Sequence, residues 1–148
     1  MPRVSVRAVI IEDEHILLSR YRDERGYWYV TPGGGVQEGE TLHEAFAREL
    51  REELDAEAVF GTILFVREVI ADRYPSPWLP AGFHQLEFFV AARLLSRPQP
   101  QPLVPDPSQV GHEWVALDSL QERLFFPADL VENFRRQHWP AFYYGLTR

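Results

Sequence analysis

An α/β layered domain built on a mixed central sheet is the fold class this sequence predicts, and three observations predict it. Apolar, β-branched runs recur at strand length, one long amphipathic helix lies between them, and short helical signals close the chain. The 148 residues suit one domain spanning 1–148, and 45% hydrophobic with 14% aromatic content is enough to build its core.

Val4 to Ile11 is β-branched and apolar, and the polar residues 12–15 lead into Ile16-Leu17-Leu18, which predicts a hairpin. Tyr27 to Val30 forms a short strand, stopped by Thr31-Pro32 and the run Gly33-Gly34-Gly35. Thr41 then opens a helix as N-cap, with Glu44 completing a capping box, and the helix runs to Leu54. Gly61 breaks into a strand over Thr62 to Ile70. A Pro-rich loop containing Trp78 follows, and the next strand covers His84 to Leu94. Residues 96–111 alternate proline with glutamine and predict an extended surface loop rather than a linker. Trp114 to Ala116 is a last short strand. Asp118 or Ser119 caps a short helix, and Pro127 begins a final one reaching Gln137.

Composition excludes several chemistries. With no cysteine there is no disulfide, thiolate zinc site or cysteine nucleophile, and all fifteen basic residues are arginine, so lysine chemistry is also absent. The net charge of −7 argues against an extended nucleic-acid surface. No apolar run is long enough to span a membrane, and the short apolar stretch between Arg3 and Arg7 lacks a cleavage site, so a cytoplasmic location is expected.

The charge is concentrated in one place. Glu38 to Glu57 holds eight acids and two arginines, a balance of −6, so the remaining residues sum to −1. At about 100° per residue, Glu49, Glu52 and Glu53 share one sector roughly 100° wide, beside an apolar stripe of Leu42, Phe46, Leu50 and Leu54. Opposite charges at i,i+4 pair Glu44 with Arg48, Arg48 with Glu52 and Arg51 with Asp55. Glu49 and Glu53 repel at the same spacing, and a bound cation would remove that penalty. A solvated acidic face is the alternative reading. The glycine run beside the helix favours a ligand site, because bare backbone can approach a ligand closely there. Carboxylate and carbonyl oxygens without histidine or cysteine suit a hard cation, Mg²⁺ or Mn²⁺.

Gly34, five residues, Glu40, seven residues, then Arg48-Glu49-Leu50-Arg51-Glu52-Glu53 resembles the Nudix box, the G-x5-E-x7-R-E-U-x-E-E signature of Nudix hydrolases. A chance match is of order one in a million per chain at average residue usage. The box runs from Gly34 to Ala56, and Trp28 to Gly34, His84 to Phe89 and Glu113 to Val115 are also similar to the family. Asp55 stands where the box usually has glycine. Aspartate tolerates the left-handed conformation, so a slightly costlier helix end is expected, with the turn upstream unaffected.

The resemblance implies a Nudix α/β/α sandwich and a Mg²⁺- or Mn²⁺-dependent pyrophosphohydrolase. Its substrate would be a small nucleotide, a nucleoside diphosphate linked to another group X, and a homodimer is compatible with it. By the same resemblance Glu49, Glu52, Glu53 and the Gly33 carbonyl bind metal, with Glu52 and Glu49 catalytic. Arg48 orients the glutamates and Glu40 supports the loop–helix junction. The general base is a box glutamate or an acid outside it, Glu87 or Glu113. Substrate contacts are expected from Arg20, Arg22, Tyr74 and Glu87, with Arg25, Trp78 and Phe83 as further candidates and Trp28 in the core. A non-catalytic nucleotide- or ADP-ribose-sensing module is the alternative, disfavoured by the intact carboxylate set. Isoprenyl diphosphate isomerase chemistry is disfavoured by the lack of cysteine.

Overall fold

The computed structural model describes residues 1–74, 79–104 and 106–148, so Trp78 and Pro105 lie outside the described residues. In chain order come β1 (Arg3–Glu12), β2 (His15–Asp23), β3 (Gly26–Val30), β4 (Gly33–Gly35), α1 (Leu42–Leu54), β5 (Ala58–Ile70), β6 (His84–Leu94) and β7 (Gln109–Ala116). Two 3-10 segments (Leu117–Glu122 and Ala128–Leu130), α2 (Val131–Arg136) and β8 (Tyr143–Leu146) complete it. The strands order as β3-β2-β1-β6-β5-β8, with β4 on β1 and β7 on β2. The sheet is mixed, since β1–β6 and β5–β8 are parallel and the other pairs antiparallel.

The hairpin turns on Asp13 and Glu14, both left-handed at φ 50 and 60, the two-residue geometry whose twist matches the flanking strands. Its register pairs Ile11 with Ile16 and Glu12 with His15; beyond that point β1 runs between β4 and β6, while β2 runs between β3 and β7. Alternation along β1 then builds two cores. Val6, Ala8 and Ile10 meet Ala45, Phe46, Leu50 and Leu54 of α1 on one side. Val9 joins Phe65, Phe89, Leu120, Phe125, Leu130 and Phe134 on the other, beneath the 3-10 segments and α2. Helical layers on both faces make an α/β/α sandwich.

The helix keeps its expected start. The Thr41 hydroxyl accepts the Glu44 N–H at 3.1 Å, and the Glu44 carboxylate accepts the Thr41 N–H at 3.4 Å. At the other end Asp55 adopts the left-handed conformation (φ 47, ψ 46), its N–H reaching the Arg51 and Leu50 carbonyls. That is the position where aspartate replaces the usual glycine.

Several expectations are corrected. The glycine run does not merely stop β3; it is strand β4, paired to Ser5, Val6 and Arg7. Gly61 lies inside β5 at a bulge, where a Cβ would stand 2.5 Å from the Ala91 carbonyl oxygen. The surface loop ends sooner than 111, because Gln109–Gly111 already belong to β7. Neither Asp118 nor Ser119 caps its segment; the Ser119 hydroxyl donates to the Ala116 carbonyl instead. Pro127 precedes a 3-10 turn, so the last α-helix begins later, at Val131. Strand β8 had no counterpart in the sequence reading. Among the described residues no helix is long and apolar enough to cross a membrane.

Candidate active site

Strand β4 and helix α1 face each other across the site. Gly34 lies so close to the helix that a Cβ there would stand 2.6 Å from the Glu49 carboxylate. Arg48 is the hub of the junction. Its guanidinium grips Glu40 through two bonds, 2.7 and 2.9 Å, and donates to the Gly35 carbonyl at 2.9 Å. The same group reaches Glu49 at 2.9 Å and Glu52 at 3.4 Å. This clamp holds Glu40 down at about 2, chiefly by the Arg48 hydrogen bond and then by the Gln37 N–H. Of the expected surface pairs, Arg48–Glu52 forms. Glu44 turns instead to the cap, and Arg51 pairs with Glu57 rather than Asp55.

Glu53 has a different setting. Partly buried, it accepts the Gly33 N–H at 3.2 Å and the Ser19 hydroxyl at 3.3 Å. Burial, with the nearby Glu49 charge, pushes its pKa up to about 8 from an ordinary value near 4.5, against the opposing pull of Arg7. A carboxylate so placed is destabilising when ionised, and a neighbouring cation would offset that cost. The donors available are oxygens, and the missing side chain at Gly34 lets the Glu49 carboxylate lie directly against the strand, so the residues suit a hard divalent ion. Among the described residues no three acidic or imidazole side chains are grouped to hold a metal ion: Arg48 engages Glu49 and Glu52, while Glu53 turns to Gly33 and Ser19. The Gly33 carbonyl accepts an Arg7 N–H at 3.2 Å.

A pH dependence follows. The raised carboxyl favours the protonated fold, so its contribution to stability is complete below about pH 4.5 and is lost as pH climbs through about 8. Chelator-treated protein is expected to lose about 1–2 kcal/mol over that window, a few degrees in Tm, after allowing for partial solvent screening. Adding Mg²⁺ at pH 8 should restore it. Thermal unfolding at pH 5 and pH 8, with and without metal, measures the effect, and a flat metal-free profile contradicts it.

Beside the carboxylates a cavity of about 410 Å³ opens. Its apolar walls include Trp28, Tyr74, Phe83 and Phe126, with Tyr21 stacked on Trp28 at a centroid distance of 5.5 Å. Trp28 is thus a partly buried wall of the cavity rather than a core residue. Buried Glu87 anchors the floor: it accepts Arg67 at 2.7 Å and Gln85 at 2.6 Å, and Arg7 lies 3.7 Å away. Burial alone would raise its pKa, but Arg67 and Arg7 overcome that and hold it below the usual carboxylate value. Arg7 also donates to the Thr31 and Gly33 carbonyls at 3.2 Å each, joining this floor to the glycine strand.

The cavity therefore gathers Tyr74, Phe83 and Glu87 but not Arg20 or Arg22. Strand alternation puts those arginines opposite Ser19 and Tyr21, over the Tyr27 ring at 5.2 and 5.9 Å. Arg20 also pairs with Glu113, which Arg123 holds at 2.7 Å, and Arg25 pairs with Asp23. The cations at the cavity are Arg7, Arg67 and Arg148, which sequence reasoning did not single out. Arg7 and Arg67 left only a weak signal: Arg67 is the one basic residue of β5, and Arg7 sits between the apolar Val6 and Ala8 of β1.

A family model described as the NUDIX domain matches residues 1–137. Two curated relatives match over shorter stretches. The nucleoside triphosphatase NudI of Salmonella agona is 38% identical over 41% of this chain and 45% of its own length. The NAD-capped RNA hydrolase NudC of Photorhabdus laumondii is 38% identical over 46% of this chain and 24% of its own. The matched stretch thus spans under half of either relative. Two solved structures resemble the chain almost end to end. A MutT NUDIX hydrolase from Burkholderia pseudomallei has a TM-score of 0.70 at 28% identity, covering 88% of this chain and 95% of that one. A NUDIX hydrolase from Nitrosomonas europaea has a TM-score of 0.72 at 20% identity, covering 93% and 90%.

Proposed function

The chain belongs to the Nudix family, and from that premise we propose that it is a divalent-metal-dependent pyrophosphohydrolase, cleaving the phosphoanhydride of a nucleoside diphosphate linked to a second group X. One observation carries the reading: Glu49, Glu52 and Glu53 are all retained on a single stretch of helix that faces a glycine strand, beside an aromatic cavity floored by arginines.

Glu49, Glu52 and Glu53 hold the ion in this reading, with the Gly33 carbonyl as a further oxygen. Bound Mg²⁺ or Mn²⁺ supplies the positive charge that lets a polyphosphate approach the acids and stabilises charge developing on the departing phosphate. Arg48, locked by Glu40 and the Gly35 carbonyl, sets the direction from which Glu49 and Glu52 approach. Glu52 or Glu49 removes the proton from the attacking water. Glu87 is the poorer base, since its lowered pKa weakens its grip on a proton. Its place, with Tyr74, is in binding the organic part of the substrate, while Arg7 joins that part to the diphosphate. Curated relatives that act on nucleoside triphosphates and NAD-capped RNA support a nucleotide substrate class.

Incubation with a panel of nucleoside diphosphate derivatives and Mg²⁺ tests the proposal. Release of a mononucleotide, abolished by chelator, is the expected result. Tight binding without products would instead make the chain a nucleotide sensor.

A further inference from the structure

The proline-rich stretch that opens at Ser96 has a use the reaction scheme leaves out. Its backbone folds over the C-terminal end of α1. The Gln99 N–H donates to the Leu54 carbonyl at 2.8 Å, and the Leu103 and Val104 N–H groups both donate to the Glu52 carbonyl, at 2.9 and 3.1 Å. A helix leaves its last four carbonyls without intrahelical partners, and its C-terminus carries partial negative charge. Here that end also bears Glu52, Glu53 and Asp55, so it is doubly unfavourable. Asp55 in the left-handed position adds strain that glycine would avoid. The Gln99, Leu103 and Val104 donors compensate at the turn where the candidate metal-binding carboxylates sit.

The composition of the segment suits the task. Prolines have no backbone N–H to place and limit what freezing the segment costs in entropy, while the Gln99, Leu103 and Val104 N–H groups between and beside them go to the helix. Gln99 stands between Pro98 and Pro100, and Leu103 follows Pro102, so each donor is presented from a stiffened neighbour. The side chains of Leu103 and Val104 are exposed, which leaves the backbone as the working part. Farther along the chain Ser108 lines the cavity, and the Ser108 carbonyl accepts the Arg22 N–H at 2.9 Å, anchoring that wall to β2.

We propose that residues 96–104 form a strap whose Gln99, Leu103 and Val104 amides are positioning groups: they hold the Glu52-bearing turn of α1 in register with the cavity wall, to which Ser108 belongs. The functional half of this inference rests on the hydrolase reading above. The mechanical half stands on the hydrogen bonds alone.

Replacing Leu103 and Val104 together by proline deletes both donors to Glu52, and Gln99→Pro deletes the third separately. Leu103→Ala keeps the N–H and serves as control. In the double variant, hydrogen exchange over residues 50–55 is expected to rise at least tenfold. Assayed well below its Tm, kcat should fall about tenfold, with half-saturating Mg²⁺ several-fold higher and substrate KM little changed. Leu103→Ala should match the wild type in all four. Adding Asp55→Gly, which relieves the strained helix end, should recover part of the exchange protection. A merely structural loop would lower Tm and leave kcat and the metal requirement alone, and that outcome overturns the proposal. Unchanged exchange in the double variant overturns it as well. If that variant fails to fold, Gln99→Pro decides by the same measurements. Should the wild type show no metal-dependent hydrolysis, the hydrolase reading has failed instead, visibly in the unmutated protein, and exchange alone judges the strap.

Discussion

Glu52→Gln and Glu53→Gln are each expected to lower turnover by about 10²- to 10⁴-fold while leaving the fold intact, since each removes a charge on which the divalent ion and the reacting phosphate depend in the proposed reaction. The substitution is isosteric, so lost activity cannot be blamed on packing. At position 53 the amide oxygen still accepts from the Gly33 N–H and the Ser19 hydroxyl, so both native partners are kept. What disappears is a partly buried charge whose pKa has been driven up to about 8 by burial and by Glu49. Metal-free Glu53→Gln at pH 8 should therefore be as stable as the wild type, or more stable by about 1–2 kcal/mol. Added Mg²⁺ should raise its Tm less than it raises the wild type's. At position 52 the loss is a 3.4 Å contact with Arg48, which keeps Glu40 and Glu49, so a stability change within a few tenths of a kcal/mol is expected. Steady-state kinetics at saturating Mg²⁺, with circular dichroism and thermal unfolding, measure both effects. Full activity in both variants would remove these carboxylates from the site.

The acidic helix was readable because three signals agree there: a capping box at Thr41 and Glu44, an apolar stripe at helical spacing, and a charge pattern the helix itself disfavours. The strand signals were weaker where side chains carry no pattern. β4 consists of glycine alone, so nothing in its composition announced pairing with β1. β8 has four residues, and its register with β5 is itself irregular. Arg20 and Arg22 are expected among the substrate contacts, yet a one-residue step along a strand changes faces. Ser19 and Tyr21 turn toward Glu53 and the cavity, and the arginines turn away to Tyr27 and Glu113. Arg7 and Arg67 were missed for the converse reason. Their importance comes from meeting across β1, β6 and β5 at one buried carboxylate, Glu87; a basic residue among apolar neighbours marks the position but does not reveal the partner that register supplies.

Alanine at the two neighbouring glycines of β4 should separate folding from function. At Gly33, φ is +145, and an added Cβ would lie 2.1 Å from the Val6 carbonyl oxygen and 2.8 Å from the Arg7 Cα. Both obstacles are backbone of the paired strand, so neither can swing aside, and relief requires β1 and β4 to part. Parting would also break the Gly33 N–H bond to Glu53 and the Arg7 bond to the Gly33 carbonyl. Gly33→Ala is therefore expected to lose at least about 3 kcal/mol in urea unfolding, combining backbone strain with broken polar contacts. At Gly34 the nearest obstacle is the Glu49 carboxylate at 2.6 Å, the free end of a flexible side chain. That group can yield by rotating, so Gly34→Ala should fold with a modest loss of stability. Its turnover should nonetheless fall about 10- to 100-fold, because the displaced carboxylate is one that the proposed reaction uses. Gly39→Ala is the matched control: its φ of +86 is equally left-handed, but no atom lies within 4 Å of the added Cβ, so it reports the strain of the conformation alone. A Gly33→Ala protein unfolding at the wild-type urea midpoint would refute the close approach of β4 to β1. A fully active Gly34→Ala enzyme would show that Glu49 can move without consequence, and so has no part in the reaction.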